Sequence, residues 1–218
     1  MEKIKIKTII AACILLLLFV ACGKDDNPNE PKEGNQLEKN FPFLKIGNSW
    51  VYENYYHYYD GTIDTVECWT DIDYKFDFVL DDINYTKFFM RGQIPYLAIN
   101  EFFASDSTVV LGSINLKELN HFPLFRDKYT VGQKWKRERL SNSSYHSFEA
   151  EREIVSIYET LTVVAGTFDN CIKIKETITN KEIPPAIIER FYWIRNDIGF
   201  IKFIEQGMEL VELKSKNF

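Results

Sequence analysis

Apolar and polar residues alternate with a period of two over most of residues 41–218, and aromatic and β-branched side chains fill many of the apolar places. Such side chains suit a pleated, half-buried surface, so the pattern predicts strands and almost no amphipathic helix. Trp50, Tyr52, Tyr56 and Tyr58 alternate with Val51, Glu53, Tyr55, His57 and Tyr59. Asp60-Gly61 then supplies the positive-φ residues of a tight hairpin into a second strand over 62–70. Further strands are predicted over 74–80 and 85–91, joined through Asp81-Asp82-Ile83-Asn84, and over 96–104 and 108–111. A second series covers 133–140, 145–158, 160–164, 171–179, 187–195, 199–205 and 209–213. Ser141-Asn142-Ser143-Ser144 and Asn196-Asp197-Ile198-Gly199 are turn formers between them. Short connections favour antiparallel neighbours, so the expectation is one all-β domain built as an antiparallel meander, with a single helical turn at 116–120.

A weak internal echo runs through this pattern. Ile46-Gly47-Asn48-Ser49-Trp50 and Val131-Gly132-Gln133-Lys134-Trp135 each read as a glycine bend that starts a strand, with a tryptophan three residues on. Two copies do not separate an internal repeat from a local device used twice.

The pattern breaks before residue 41. Lys3, Lys5 and Lys7 precede an apolar run from Ile9 to Ala21, which is short for a span of about 20 residues and has the layout of an export signal. Phe19-Val20-Ala21-Cys22 resembles the cleavage box of bacterial lipoprotein signals, with Phe19 where leucine is usual. The resemblance implies that residues 1–21 are removed and that Cys22 is acylated and becomes the N-terminus. An uncleaved signal anchor and a plain secretory peptide are built from the same run, and Cys13 is a competing cysteine. Gly23-Lys24-Asp25-Asp26 resembles the tag that sends Bacteroides-type lipoproteins to the outer face of the outer membrane. Residues 22–40 otherwise hold one apolar side chain, Leu37, and read as a flexible tether ahead of a domain over 41–218.

Removing residues 1–21 takes away three lysines and one glutamate and moves the formal charge from −6 to −8. A chain that acidic is a poor partner for nucleic acid or an anionic membrane, so lipid and not charge must hold it at a bilayer. Acyl chains contribute about 0.8 kcal/mol per buried CH₂, and more than one chain makes the attachment stable.

Candidate chemistry is sparse. His57, His121 and His146 stand far apart without metal-ligand spacing, and neither a metal nor a cofactor is expected. There is no Gly-x-Ser-x-Gly elbow, phosphate loop or His-Glu-x-x-His, so no catalytic residue is assigned. Asp71/Asp73, Asp81/Asp82 and Glu149/Glu151/Glu153 would serve a hydrolase only if two carboxylates faced each other across a cleft, and alternation at 149, 151 and 153 reads more simply as the wet face of a strand. Cys68 and Cys171 are expected as free, buried thiols, with a disulfide as the alternative. Asp64-Thr65-Val66 and Asp106-Ser107-Thr108 resemble the acceptor sequence for O-glycans on exported Bacteroides-type proteins, which requires Thr65 or Ser107 to be exposed.

Aromatic residues make up 15% of the chain and offer the best starting point for binding. Tyr55, Tyr56, Tyr58 and Tyr59 place rings on both faces of one strand, and the core needs only one face. The surplus rings, with Trp69 and Trp193, are candidate contacts for a glycan or an envelope partner protein.

Several segments together resemble the TapB-like group of uncharacterised bacterial lipoproteins. They are Gly47-x-x-Trp50-x-Tyr52, Val131 to Trp135, Val164 to Cys171, and Phe191-Tyr192-Trp193 with Asp197 to Lys202. The resemblance implies a curved antiparallel sheet of half-barrel form and carries no activity. The expected function is a non-enzymatic, surface-tethered binding module. A half-barrel carrier of an apolar ligand is the alternative, and a hydrolase the third.

Overall fold

The computed structural model describes residues 36–218, except 81, 95–98, 112–122, 141–146, 181–185 and 207. The chain divides into two units, Met1–Gly34 and Asn35–Phe218, and all of the described residues belong to the second. A short helix, α1 (Gln36–Asn40), precedes β1 (Ser49–His57), β2 (Ile63–Leu80), β3 (Ile83–Ile94), β4 (Ile99–Ala104), β5 (Thr108–Leu111) and β6 (Phe125–Arg126). A second run holds β7 (Lys134–Leu140), β8 (Ser147–Val163), β9 (Gly166–Asn180), β10 (Ala186–Arg195), β11 (Gly199–Glu205) and β12 (Met208–Asn217). The helical turn expected at 116–120 and the 141–144 turn lie outside the described residues, as do Cys13, Cys22, His121 and His146.

All these strands join one antiparallel sheet in the order β6-β5-β4-β3-β2-β1-β12-β11-β10-β9-β8-β7. Each run is a meander, and the two meet where β1 pairs with β12. The edge strands β6 and β7 sit at opposite ends of that order, yet only residues 127–133 connect them. The sheet therefore curls until its edges approach: the Trp135 indole N–H donates to the Pro123 carbonyl at 3.0 Å, and the Arg126 guanidinium lies 5.3 Å from the Trp135 ring. No pairing closes β6 onto β7, and the sheet stays open.

The glycine echo has the same geometry in both copies. Gly47 (φ 89°) donates its N–H to the Ile72 carbonyl, and the Ile72 N–H returns to Asn48. Gly132 (φ 81°) donates to Ile154, whose N–H returns to Gln133. Each device opens one of the two meanders, and glycine is used because the bend needs a left-handed residue. The Asp60-Gly61 turn differs from expectation. Only Gly61 takes positive φ, and the loop widens to 58–62 because Thr62 is held by the Asp60 carboxylate at 2.9 Å.

The concave face is filled by the chain itself. Leu37 of α1 and Phe41, Phe43 and Leu44 of the segment leading into β1 are all buried. The Phe43 ring lies 5.8 Å from Phe102 on β4, 4.7 Å from Phe125 on β6 and 6.3 Å from Trp50 on β1, and touches the backbone at Gly199 on β11. This corrects the tether boundary: residues 36–40, assigned to the tether by composition, are helical and use Leu37 to join the core.

Further along the concave face, one buried carboxylate organises a polar cluster. Glu176 on β9 accepts from Arg152 on β8 at 2.9 Å and from the Tyr192 hydroxyl on β10 at 2.5 Å, with Arg190 at 3.5 Å. Burial pushes the Glu176 carboxyl up, but Arg152, Tyr192 and Arg190 outweigh it and hold it below the usual carboxylate range.

Candidate functional site

The sequence pattern splits residues 62–80 into two strands. The structure joins them into the 18-residue β2, with a bulge between Ile72 and Tyr74 opposite Met90 and Phe89. That extra residue changes which side chains face out. Trp69 and Asp71 lie on the convex face, and unbroken alternation would continue with Asp73 and Lys75. The bulge instead turns Tyr74, Phe76 and Phe78 outward. Lys75 turns inward, where it lies 5.7 Å from the Phe88 ring and bridges Glu38 of α1 at 3.2 Å.

A line of aromatic rings results along the outside of β2 and β3. Trp69 is 58% exposed, Tyr74 51% and Phe76 47%, high values for such large rings. Tyr74 stacks on Phe89 at 4.3 Å and 12°, and Phe76 sits 5.8 Å from the same ring. Phe78, Tyr85 and Phe103 pack together at the far end as a small second core. Lys87 lies 4.3 Å from Phe89 and 5.0 Å from Phe103, and is paired with Glu101 at 2.8 Å. Phe89 thus underlies both Tyr74 and Phe76, and Phe78 flanks Phe76 at 5.8 Å.

Between Trp69 and Tyr74 sits a polar group. Arg91 on β3 bonds the Asp71 carboxylate at 2.5 Å and approaches Asp73 at 3.5 Å. The Arg91 side chain is 61% exposed and that of Asp73 44%, against 12% for Asp71. Asp71 therefore anchors the guanidinium, while Arg91 and Asp73 present donors and an acceptor to solvent beside the rings.

Gly92 lets β3 lie close against the β2 backbone at Trp69. It has φ 80°, and a Cβ there would lie 2.1 Å from the Trp69 carbonyl oxygen. A Gly92→Ala substitution meets both a forbidden conformation and a backbone clash, so it should destabilise by at least about 1–3 kcal/mol. Thermal unfolding of the variant checks this; an unchanged midpoint contradicts the close approach.

The residues singled out by sequence scatter. Trp69 joins the ribbon. Tyr55 lies half-buried on the convex face of β1, its hydroxyl on Glu53 at 3.1 Å; burial and the Glu212 carboxylate hold the phenol well above its ordinary range. Tyr56 lies half-buried on the opposite face. Tyr58 and Tyr59 are exposed at the hairpin tip, away from the ribbon, with the Tyr58 hydroxyl on Asp64. Trp193 is a correction: it is buried, its indole N–H donates to Glu159 at 2.6 Å, and Lys173 sits 4.9 Å from its ring. That cover from β8 and β9 removes it from any contact face. Thr65 and Ser107 are both exposed. Cys171 is a free, buried thiol pushed up to about 11 by burial, and Cys68 is free and half-buried.

Sequence reasoning missed Tyr74, Phe76, Phe89 and Arg91 as a group. Aromatic residues at 74, 76 and 78 are visible in the sequence, but the strand break placed before them hides their continuity with Trp69.

Two other features bear on function. Glu149, Glu151 and Glu153 interleave with Lys134 and Lys136 at 3.0–3.7 Å on the convex face of β7 and β8, a surface ion lattice. A groove of about 470 Å³ beside α1 has a mixed lining, with Leu37, Phe78, Val79 and Tyr85 set among Asp77, Asn84, Thr86, Ser105 and Asp106.

No family model matches the chain, nor does any curated protein, and the TapB-like resemblance gains no support from these comparisons. A solved structure from Parabacteroides distasonis ATCC 8503, described as a candidate lipoprotein, is 14% identical, covers 79% of this chain and 96% of its own, and superposes with a TM-score of 0.44.

Proposed function

We propose that this protein is a lipoprotein of the bacterial envelope, acylated at Cys22 and displayed at the outer-membrane surface, that binds glycan along the convex face of β2 and β3. The anchor rests on the signal-like residues 1–22 and the Lys24-Asp25-Asp26 tag. The binding role rests on one observation: Trp69, Tyr74 and Phe76 stand exposed in a row with Arg91 and Asp73 between them. Sugar rings offer C–H faces that pack on aromatic rings and hydroxyls that need donors and acceptors at the edge, and this surface supplies both.

A protein partner fits less well. Stable interfaces carry few charges at their centre, and this ribbon has the Arg91, Asp71 and Asp73 group at its middle. An apolar-ligand carrier needs an open concave cavity, and Phe41, Phe43 and Leu44 occupy that face.

The test is a glycan array probed with the full chain in mild detergent, beside a Trp69→Ala/Tyr74→Ala/Phe76→Ala variant. Wild type should bind a defined glycan group, and the variant should lose that signal at least tenfold. A flat wild-type profile, or equal binding by both, defeats the reading.

A further inference from the structure

The ribbon's polar centre bears on which glycan would fit, an inference that rests on the glycan reading above. One cation, Arg91, faces two carboxylates, Asp71 and Asp73. The neighbouring ion pairs change this little: Lys87 is matched by Glu101, and Lys214 is shared between Glu53 and Glu67. The ribbon therefore carries a small negative excess on a chain whose formal charge is −6. A uronate or sulfate brought to this surface meets Asp73 and an arginine whose charge is already matched, so its desolvation gains little.

Hydroxyls fit better. The exposed edge of Arg91 donates, and the exposed Asp73 carboxylate accepts. Held beside each other by Asp71, they match a pair of adjacent sugar hydroxyls, one accepting and one donating, while the sugar faces pack on Trp69 and Tyr74. We infer that the ligand class is a neutral glycan with free vicinal hydroxyl pairs, held by Arg91 and Asp73 between Trp69 and Tyr74.

Dextran, galactomannan and amylose, all neutral polymers with vicinal diols, are titrated by calorimetry into the full chain in mild detergent, beside polygalacturonate, which has the diol and a carboxylate. Each neutral polymer is repeated after periodate oxidation and borohydride reduction, which destroy the diol. At least one neutral polymer should bind tenfold or more tighter than polygalacturonate, and lose tenfold or more on oxidation. Asp73→Asn, and Arg91→Lys, which keeps a cation beside buried Asp71 but loses the planar fork, should each weaken that polymer severalfold while leaving thermal unfolding near wild type. Polygalacturonate binding as tightly as the neutral polymers, or oxidised polymer binding as well as intact, overturns this inference and leaves the glycan reading standing. If none of the four polymers binds and the glycan array is also flat, both fall.

Discussion

Glu176→Ala should cost about 3–5 kcal/mol of stability, because it removes the buried carboxylate on which Arg152, Arg190 and the Tyr192 hydroxyl converge. For a chain of this size that lowers the thermal midpoint by about 6–20 °C. Calorimetry at neutral pH checks it. Replacing both ions with apolar side chains, as in Arg152→Met/Glu176→Leu, should lose less than the single change, since it takes both buried charges of the pair away together. The same cluster sets a pH dependence. Glu176 is held below the ordinary carboxylate range in the folded state, so its contribution is full above that range and is lost as pH falls through the depressed folded value. The stability curve of Glu176→Ala should accordingly be flatter on the acid side than that of wild type.

Phe43→Ala is expected to cost a comparable amount, about 3–5 kcal/mol, as for other buried phenylalanine deletions. The ring touches strands from both meanders, so its loss leaves a cavity that neither run can fill alone. Denaturant unfolding measures it; a loss under about 1 kcal/mol would mean that the 41–44 segment does not seal the concave face.

The strand pattern is readable where alternation is unbroken. The predicted 108–111 and 199–205 strands coincide with β5 and β11, and 133–140 and 187–195 start or end within a residue of β7 and β10. Readability fails at irregularities. The predicted 145–158 and 160–164 strands are one strand, β8, in which bulges shift the register near Ser156 and Glu159. The bulge at 72–74 has the same effect on β2, with the larger consequence that Tyr74 and Phe76 change faces. An extra residue leaves no mark in composition, and only the partner strand shows it.

Long-range burial is the other blind spot. Trp193 looks like a surplus ring until Glu159 and Lys173 are seen to cover it, and Glu176 looks like any acid on a strand until two arginines from other strands converge on it. Leu37 stands out as the one apolar residue of the tether, but the core it joins is built from strands far along the chain. The glycine–tryptophan echo, by contrast, is visible as a repeat of residues, and its hydrogen bonds prove to be the same in both copies.

The most direct test of the aromatic ribbon is tryptophan emission. Trp50 and Trp193 are buried and Trp135 is half-buried, which leaves Trp69 as the exposed reporter among the four tryptophans. Titrating the full chain with the glycan that binds it should shift the emission to the blue along a saturating curve, and Trp69→Phe should abolish the shift. Saturable binding by calorimetry with emission unchanged would place the ligand elsewhere and contradict a binding role for the ribbon.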